Sequence, residues 1–126
     1  MRYLAAGILL LLLLTTLCMA SACYVDHAVA ETQRFVQSAA ENQEGGSTNE
    51  AIGMMEKAAL SWSYHDKFFG IVLHHDEIDS VREDMSALLG CLYSSAYEEF
   101  PGTCAGLITR LQQLRNAQWP KLRNLF

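Results

Sequence analysis

The chain opens with a long run of apolar residues and continues with a different pattern. Between Arg2 and Asp26 there is no charged residue. As a helix, this run of about 23 residues spans about 35 Å, which exceeds a hydrocarbon core about 30 Å thick. The sequence therefore predicts that residues 1–25 form a membrane anchor or a signal segment.

Three interpretations of this N-terminal segment remain open. Gly and Pro are absent from Ile8 to Glu44, so one uncleaved helix can continue from the membrane into the rest of the chain. The apolar centre also has the length of a signal peptide, and residues 20–22 (Ala-Ser-Ala) form an A-x-A cleavage pattern. Cys23 follows directly and is a candidate for lipidation, as in bacterial lipoproteins. We favour retention on the cell membrane, with secretion as the alternative.

The remaining residues repeat apolar positions at spacings of three and four, which predicts amphipathic helices. The predicted buried rows are Tyr24, Ala28, Val29, Phe35, Val36 and Ala39; Ile52, Met55, Ala59, Trp62, Phe69 and Leu73; Ile78, Val81, Met85, Leu88, Leu89, Leu92 and Ala96; and Cys104, Leu107, Ile108, Leu111 and Leu114. No useful length alternates with strand period. The predicted fold is all-α: an N-terminal hydrophobic helix followed by a small antiparallel bundle of about four helices, with residues 26–126 as the helical domain.

Local signals predict where these helices begin and end. Residues 45–49 (Gly-Gly-Ser-Thr-Asn) predict a flexible linker, and Ser47 with Glu50 has the spacing of a capping box that opens the second helix. Pro101 suits the first turn of the last helix. Pro120 is expected to end or kink it.

Charge is distributed unevenly along the chain. All fourteen acidic residues precede Phe100, whereas the four charged residues after it are Arg110, Arg115, Lys121 and Arg123. The favoured interpretation is that a basic last helix packs beside acidic neighbours; the alternative is a basic face that meets anionic lipid or an acidic partner. The acidic balance makes nucleic acid an unexpected partner. The N-terminal end of the apolar segment carries the positive charges of Arg2 and the amino terminus, whereas acidic Asp26 and Glu31 follow its other end. This distribution predicts that the helical domain lies outside the cytoplasm.

The segment WSYHDKFFGIVLHHDEID, which begins at Trp62, resembles the motif region of domain-of-unknown-function family 4363. The matching positions are Trp62, Phe68, His75, Glu77, Ile78 and Asp79, and the chain ends with Leu122, Asn124, Leu125 and Phe126, similar to the ending of that family. The resemblance covers roughly residues 50–126. It implies a short, membrane-anchored or exported bacterial helical protein, and it implies no particular activity.

Ligand-type side chains are concentrated in one place, from His74 to Asp79. His75, Asp76 and Asp79 are candidate metal ligands there. The spacing is not diagnostic, and the favoured alternative is that His75 or Asp76 caps the third helix, whose first turn favours acids. A groove lined by aromatic residues from Trp62 to Phe69 is a further option, although we favour a core role for them.

Cys91 and Cys104 are predicted to be neighbours. They are equidistant from the predicted turn between the third and fourth helices, and a disulfide between them is a candidate. No catalytic motif is present, so we expect no enzyme and no cofactor. The sequence predicts a membrane-associated interaction or scaffold module outside the cytoplasm, with an envelope or membrane protein as partner. The alternative is a protein that binds a metal or small ligand at the His74–Asp79 turn.

Overall fold

The chain folds into four helices that follow each other in sequence. The computed structural model describes the backbone of residues 1–125 and the side chains of these residues except 72 and 117–125. The helices are α1 (Arg2–Glu44), α2 (Thr48–Val72), α3 (His75–Tyr93) and α4 (Phe100–Leu125), and residues 1–125 contain no strand. The predicted all-α fold, with a long apolar first helix and a small bundle, is confirmed.

The helices are arranged as an antiparallel four-helix bundle. α1 packs against α2 and α4, and α3 packs against the same two helices from the opposite side. Among the described residues α1 and α3 do not contact each other, so they lie diagonally across the bundle. Short connections force each helix to run back along the one before it. α2 and α4 therefore both run towards the end of the bundle at which α1 enters.

The core is continuous and draws on all four helices. Its largest fully buried side chains include Trp62, Phe69 and Phe100, and the Trp62 and Phe69 ring centroids lie 4.6 Å apart. α1 contributes only from Ala22 onwards, through a row at alternating spacings of three and four: Ala22, Val25, Val29, Thr32, Val36 and Ala39. This spacing is typical of helices that pack nearly antiparallel with interlocking side chains.

The predicted buried rows are correct at most positions of all four helices, and the exceptions in α1 and α2 lie next to a residue that is buried instead. Val25 is fully buried whereas Tyr24 is 39% exposed. In α2, Ala51 and Ala58 are buried, and the predicted Ile52 and Ala59 only pack at the edge of the core. The buried row of α2 therefore passes through alanines at these two positions. In the third row, Ala96 is exposed because it lies beyond the end of α3.

The connection between α1 and α2 is a tight turn and not the predicted flexible linker. The Gly46 N–H donates to Gln43 O (3.0 Å), the Ser47 N–H donates to Asn42 O (2.8 Å), and Gly46 has a φ of +84°. These features define a Schellman motif, in which glycine adopts the left-handed conformation at no steric cost. α2 begins at Thr48 with Ser47 as its N-cap, as predicted, but the Ser47 side chain makes no cap hydrogen bond to any described group, so the hydrogen bonds of a capping box are not formed there.

α3 ends in a related turn that places a serine, and not a glycine, in the left-handed conformation. The Ala96 N–H donates to Cys91 O (2.9 Å), and Ser95 has a φ of +63°. This conformation is strained for a residue with a Cβ atom. α4 then begins at Phe100 and continues past Pro120 to Leu125. Pro120 therefore does not end this helix, and the alternative that it kinks the helix stays a prediction.

Ion pairs connect α4 to both of its neighbours. Arg115 Nε donates to Asp26 Oδ1 of α1 at 2.9 Å, and Arg110 Nε lies 3.7 Å from Asp84 Oδ2 of α3. The interpretation that a basic last helix packs beside acidic helices is confirmed for these two arginines.

Candidate functional site

The apolar segment of α1, residues 3–21, extends from the bundle with almost all its side chains exposed. Its leucines are each more than half exposed, and of the described helices α1 alone is long and apolar enough to cross a membrane. The Thr15 and Thr16 hydroxyls donate to the carbonyls of Leu11 and Leu12, both at 2.8 Å, so neither hydroxyl needs water. A signal sequence has the same length and composition.

The boundary between the apolar segment and the packed domain falls at the predicted cleavage pattern. Ala22 is the first buried residue, and Cys23 beside it is exposed with a free thiol. α1 passes through residues 20–23 without interruption. Cys23 is therefore accessible for lipid attachment, and its lipidation stays a prediction.

An aromatic cluster joins α1 to α2 next to this boundary. Tyr24 stacks edge-on against His65 and Phe68 of α2, with ring centroids 5.2 and 4.5 Å away, and its hydroxyl shares a hydrogen bond with His65 Nδ1. His65 in turn contacts the rings of Tyr64 and Phe69. Edge-to-face pairs of this kind stabilise beyond simple burial. The cluster therefore fixes α2 against the emerging helix.

The His74–Asp79 turn lies at the same end of the bundle. His74 is the N-cap residue of α3, so His75 and Asp76 are its first two helical residues and the prediction that one of them is the cap is wrong. The cap position is determined by the backbone: His74 O accepts from the N–H groups of Glu77 (3.1 Å) and Ile78 (3.2 Å). Asp76 and Glu77 in the first turn face the positive end of the helix dipole, as expected.

The candidate metal ligands of this turn do not converge within the described part of the chain. Asp79 lies 3.5 Å from Arg82, which also binds Asp66 at 2.5 Å. His75 packs back towards Gly70, and Asp76 faces an open cleft shared with Arg110 of α4. Among the residues that the structure describes, no three His, Cys, Asp or Glu side chains form a metal-binding group.

A second open groove runs between α1 and α2, with a volume of about 410 Å³. Its apolar lining comes from Phe35, Leu60 and Tyr64, and Glu31 and Lys57 provide charges at its edges. Leu60 is 72% exposed and Tyr64 is 82% exposed. The predicted core role is thus correct for Trp62 and Phe69 but wrong for Tyr64.

Cys91 and Cys104 both belong to or border the core, and both thiols are free. Cys104 is buried and Cys91 is half-buried beside the same core. Burial, assisted by the neighbouring charge of Cys91, raises the pKa of Cys104 from 9.0 to about 12. The Cys104 thiol is therefore a poor nucleophile at neutral pH, and a disulfide between the two residues stays a prediction.

Sequence reasoning missed the exposed apolar row on the outer side of α2. Leu60, Tyr64 and Ile71 are spaced by four and seven residues and are all strongly exposed. The spacing itself is a helical signal, but it lies out of phase with the buried row and was not distinguished from it. The contact between Tyr24 and His65 joins residues 41 positions apart, and no sequence signal indicated it.

Together these features define a small helical bundle with an apolar segment that continues from its first helix. Comparison of the chain with known protein families, curated proteins and solved structures finds no match. The resemblance to family 4363 therefore stays a prediction.

Proposed function

We propose that this protein is a membrane-anchored module whose bundle lies outside the cytoplasm and binds an envelope or membrane protein. The observation that carries the proposal is the continuity of α1, which supplies an exposed apolar segment and one wall of the core in a single helix. A segment of this length and composition is unfavourable in water and favourable in a bilayer. The resemblance to family 4363 agrees with the same location.

The groove between α1 and α2 supports the choice of a protein partner. Exposed Leu60 and Tyr64 form an apolar patch with charged residues at its edges, a composition typical of interaction surfaces. Tyr64 and His65 contribute aromatic area together with polar atoms, and such residues are frequent at the centres of interfaces. The groove is too open to enclose a small ligand.

Membrane retention is tested by fractionating cells and washing the membranes with alkaline carbonate. We expect the protein in the washed membrane pellet, with its N-terminus intact or with lipid on Cys23. Protease added outside intact cells is expected to digest the bundle. Recovery of most of the protein as a soluble form that begins at Cys23 without lipid would contradict the anchor.

Partner binding is tested with a photo-crosslinking amino acid placed in the groove. A crosslinker at Tyr64 is expected to give one dominant adduct with another membrane or envelope protein. The matched control is Glu83, which is exposed on α3, diagonally opposite α1. Leu60→Glu should abolish the adduct at Tyr64. Equal labelling from both positions, or none from Tyr64, would refute this surface as the interface.

A further inference from the structure

An exposed aliphatic side chain lies at the end of the bundle from which the apolar segment emerges. Ile71, in the last turn of α2, is 81% exposed. A single exposed apolar residue is ordinary on a protein surface. Its significance here depends on where it lies along α1.

The aromatic cluster shows which residues of α1 lie beside Ile71 along the helix axis. α1 and α2 are antiparallel, and Tyr24 contacts His65 and Phe68. Each residue adds about 1.5 Å along either axis, so moving from Phe68 to Ile71 corresponds to moving from Tyr24 to Ser21, and moving from His65 to Ile71 corresponds to reaching Cys18. Ile71 therefore lies level with residues 18–21, the last turn of the apolar segment.

The connection from α2 to α3 holds Ile71 in this position. Leu73 is buried, its N–H donates to Phe69 O at 2.7 Å, and α3 begins two residues later at His75. The turn therefore has little freedom to withdraw into the bundle. A membrane that encloses the apolar segment must reach this turn.

We propose that the α2–α3 turn rests on the membrane surface and that Ile71 inserts between the lipid headgroups and the acyl chains. This inference rests on the proposed function, because it requires α1 to remain as an anchor. We expect lipid to cover the exposed surface at Ile71. α1 crosses the bilayer in this proposal, and α2, which packs against α1, holds Ile71 at the edge of the bilayer. Ile71 lies about 16 Å closer to the membrane than Leu60 on the same side of α2, because eleven residues separate them.

The proposed contact is apolar. Described charges of both signs lie at this end of the bundle: Asp76 and Glu77 share a cleft with Arg110, Arg115 pairs with Asp26, and Arg82 pairs with Asp66. Removing an aliphatic side chain from water is favourable whatever the charge of the lipid. We therefore expect insertion in neutral as well as in anionic membranes.

The test places an environment-sensitive fluorophore at residue 71. The full chain carries Cys18→Ser, Cys23→Ser and Cys91→Ala, and Cys104 stays because its buried thiol resists labelling. Ile71→Cys and, as the matched control, Leu60→Cys are labelled with the dye NBD. Each protein is synthesised in the presence of phosphatidylcholine vesicles, with or without phosphatidylglycerol. Circular dichroism checks that both variants are folded.

We expect the emission at residue 71 to move to shorter wavelengths on both kinds of vesicle, and the emission at residue 60 to stay at its value in water. Nitroxide groups on the upper acyl chain should quench the dye at 71 only. If the protein floats with the vesicles but the dye at residue 71 emits as it does in water, the turn does not touch lipid and the anchor stands. A shift at both positions would refute a contact confined to the turn. If the protein does not float with vesicles, the anchor and this inference both fail.

Discussion

The pair formed by Arg115 and Asp26 should contribute measurably to stability, because it is half-buried and joins the last helix to the first. The side chains are 33% and 29% exposed, their Nε to Oδ1 distance is 2.9 Å, and Arg115 Nη1 also donates to the buried Gln33 Oε1 at 3.4 Å. Buried hydrogen bonds to charged groups contribute about 1.5–3 kcal/mol, whereas exposed ion pairs contribute about 0–1 kcal/mol. With a third of each side chain in solvent, we expect a coupling energy of about 1 kcal/mol.

A double-mutant cycle measures this coupling. Asp26→Asn, Arg115→Gln and the double variant are unfolded by denaturant in micelles and followed by tryptophan fluorescence, since Trp62 reports on the core. The matched control is the cycle of Asp84→Asn and Arg110→Gln, because Arg110 lies on the same helix as Arg115 but pairs with α3. Its atoms are 3.7 Å apart, beyond hydrogen-bond range, so its coupling should be about 0.5 kcal/mol or less. Equal couplings in the two cycles would refute the argument from burial and hydrogen bonding.

Three other changes test separate features of the fold. Ser95→Gly should raise the free energy of unfolding by about 1 kcal/mol, because it relieves the left-handed backbone at φ +63°; a loss of stability in thermal melts would contradict this. The pKa of Cys104 is raised to about 12 in the folded state, so the unfolded thiol ionises first and stability should fall as pH rises above about 9, by about 1 kcal/mol at pH 10. Cys104→Ala should lose this extra pH dependence, and equal slopes in both proteins would count against it. Zinc, nickel, manganese and calcium should leave the melting temperature unchanged; a rise that His75→Ala abolishes would restore the metal site.

The helix content and the order of the elements could be predicted because each helix carries its own apolar period. Single positions of α1 and α2 were assigned wrongly, since large residues such as Tyr24 and Ile52 dominate a hydrophobicity pattern while the adjacent Val25 and Ala51 are the buried residues. Which of two adjacent apolar residues is buried depends on the distance between the helices. That distance is set by the partner helix and is not a local property of the chain.

Turn geometry was predicted incompletely for a similar reason. The glycines at 45 and 46 indicated a break, and Gly46 in the left-handed conformation is what lets α1 end in a Schellman motif, but the pair was interpreted as a flexible linker. The start of α3 was predicted one or two residues too late, because His74 caps through its carbonyl and any residue could do so. At the candidate site, the aromatic run from Trp62 was visible in sequence, whereas its contact with Tyr24 depends on the antiparallel pairing of α1 and α2.

The apolar segment and the first helix of the bundle are one uninterrupted helix, so the two should tilt together. α1 passes from residue 2 to residue 44 as one helix, and the aromatic cluster clamps α2 to it just above residue 22. Any tilt of the apolar segment must therefore tilt the whole bundle, because no flexible residue lies between them. If α1 spans a bilayer, tilting it raises or lowers the α2–α3 turn relative to the lipid, and burial of Ile71 favours the orientations in which this turn touches the surface. The groove at Leu60 and Tyr64 would then face a partner at a fixed height above the membrane.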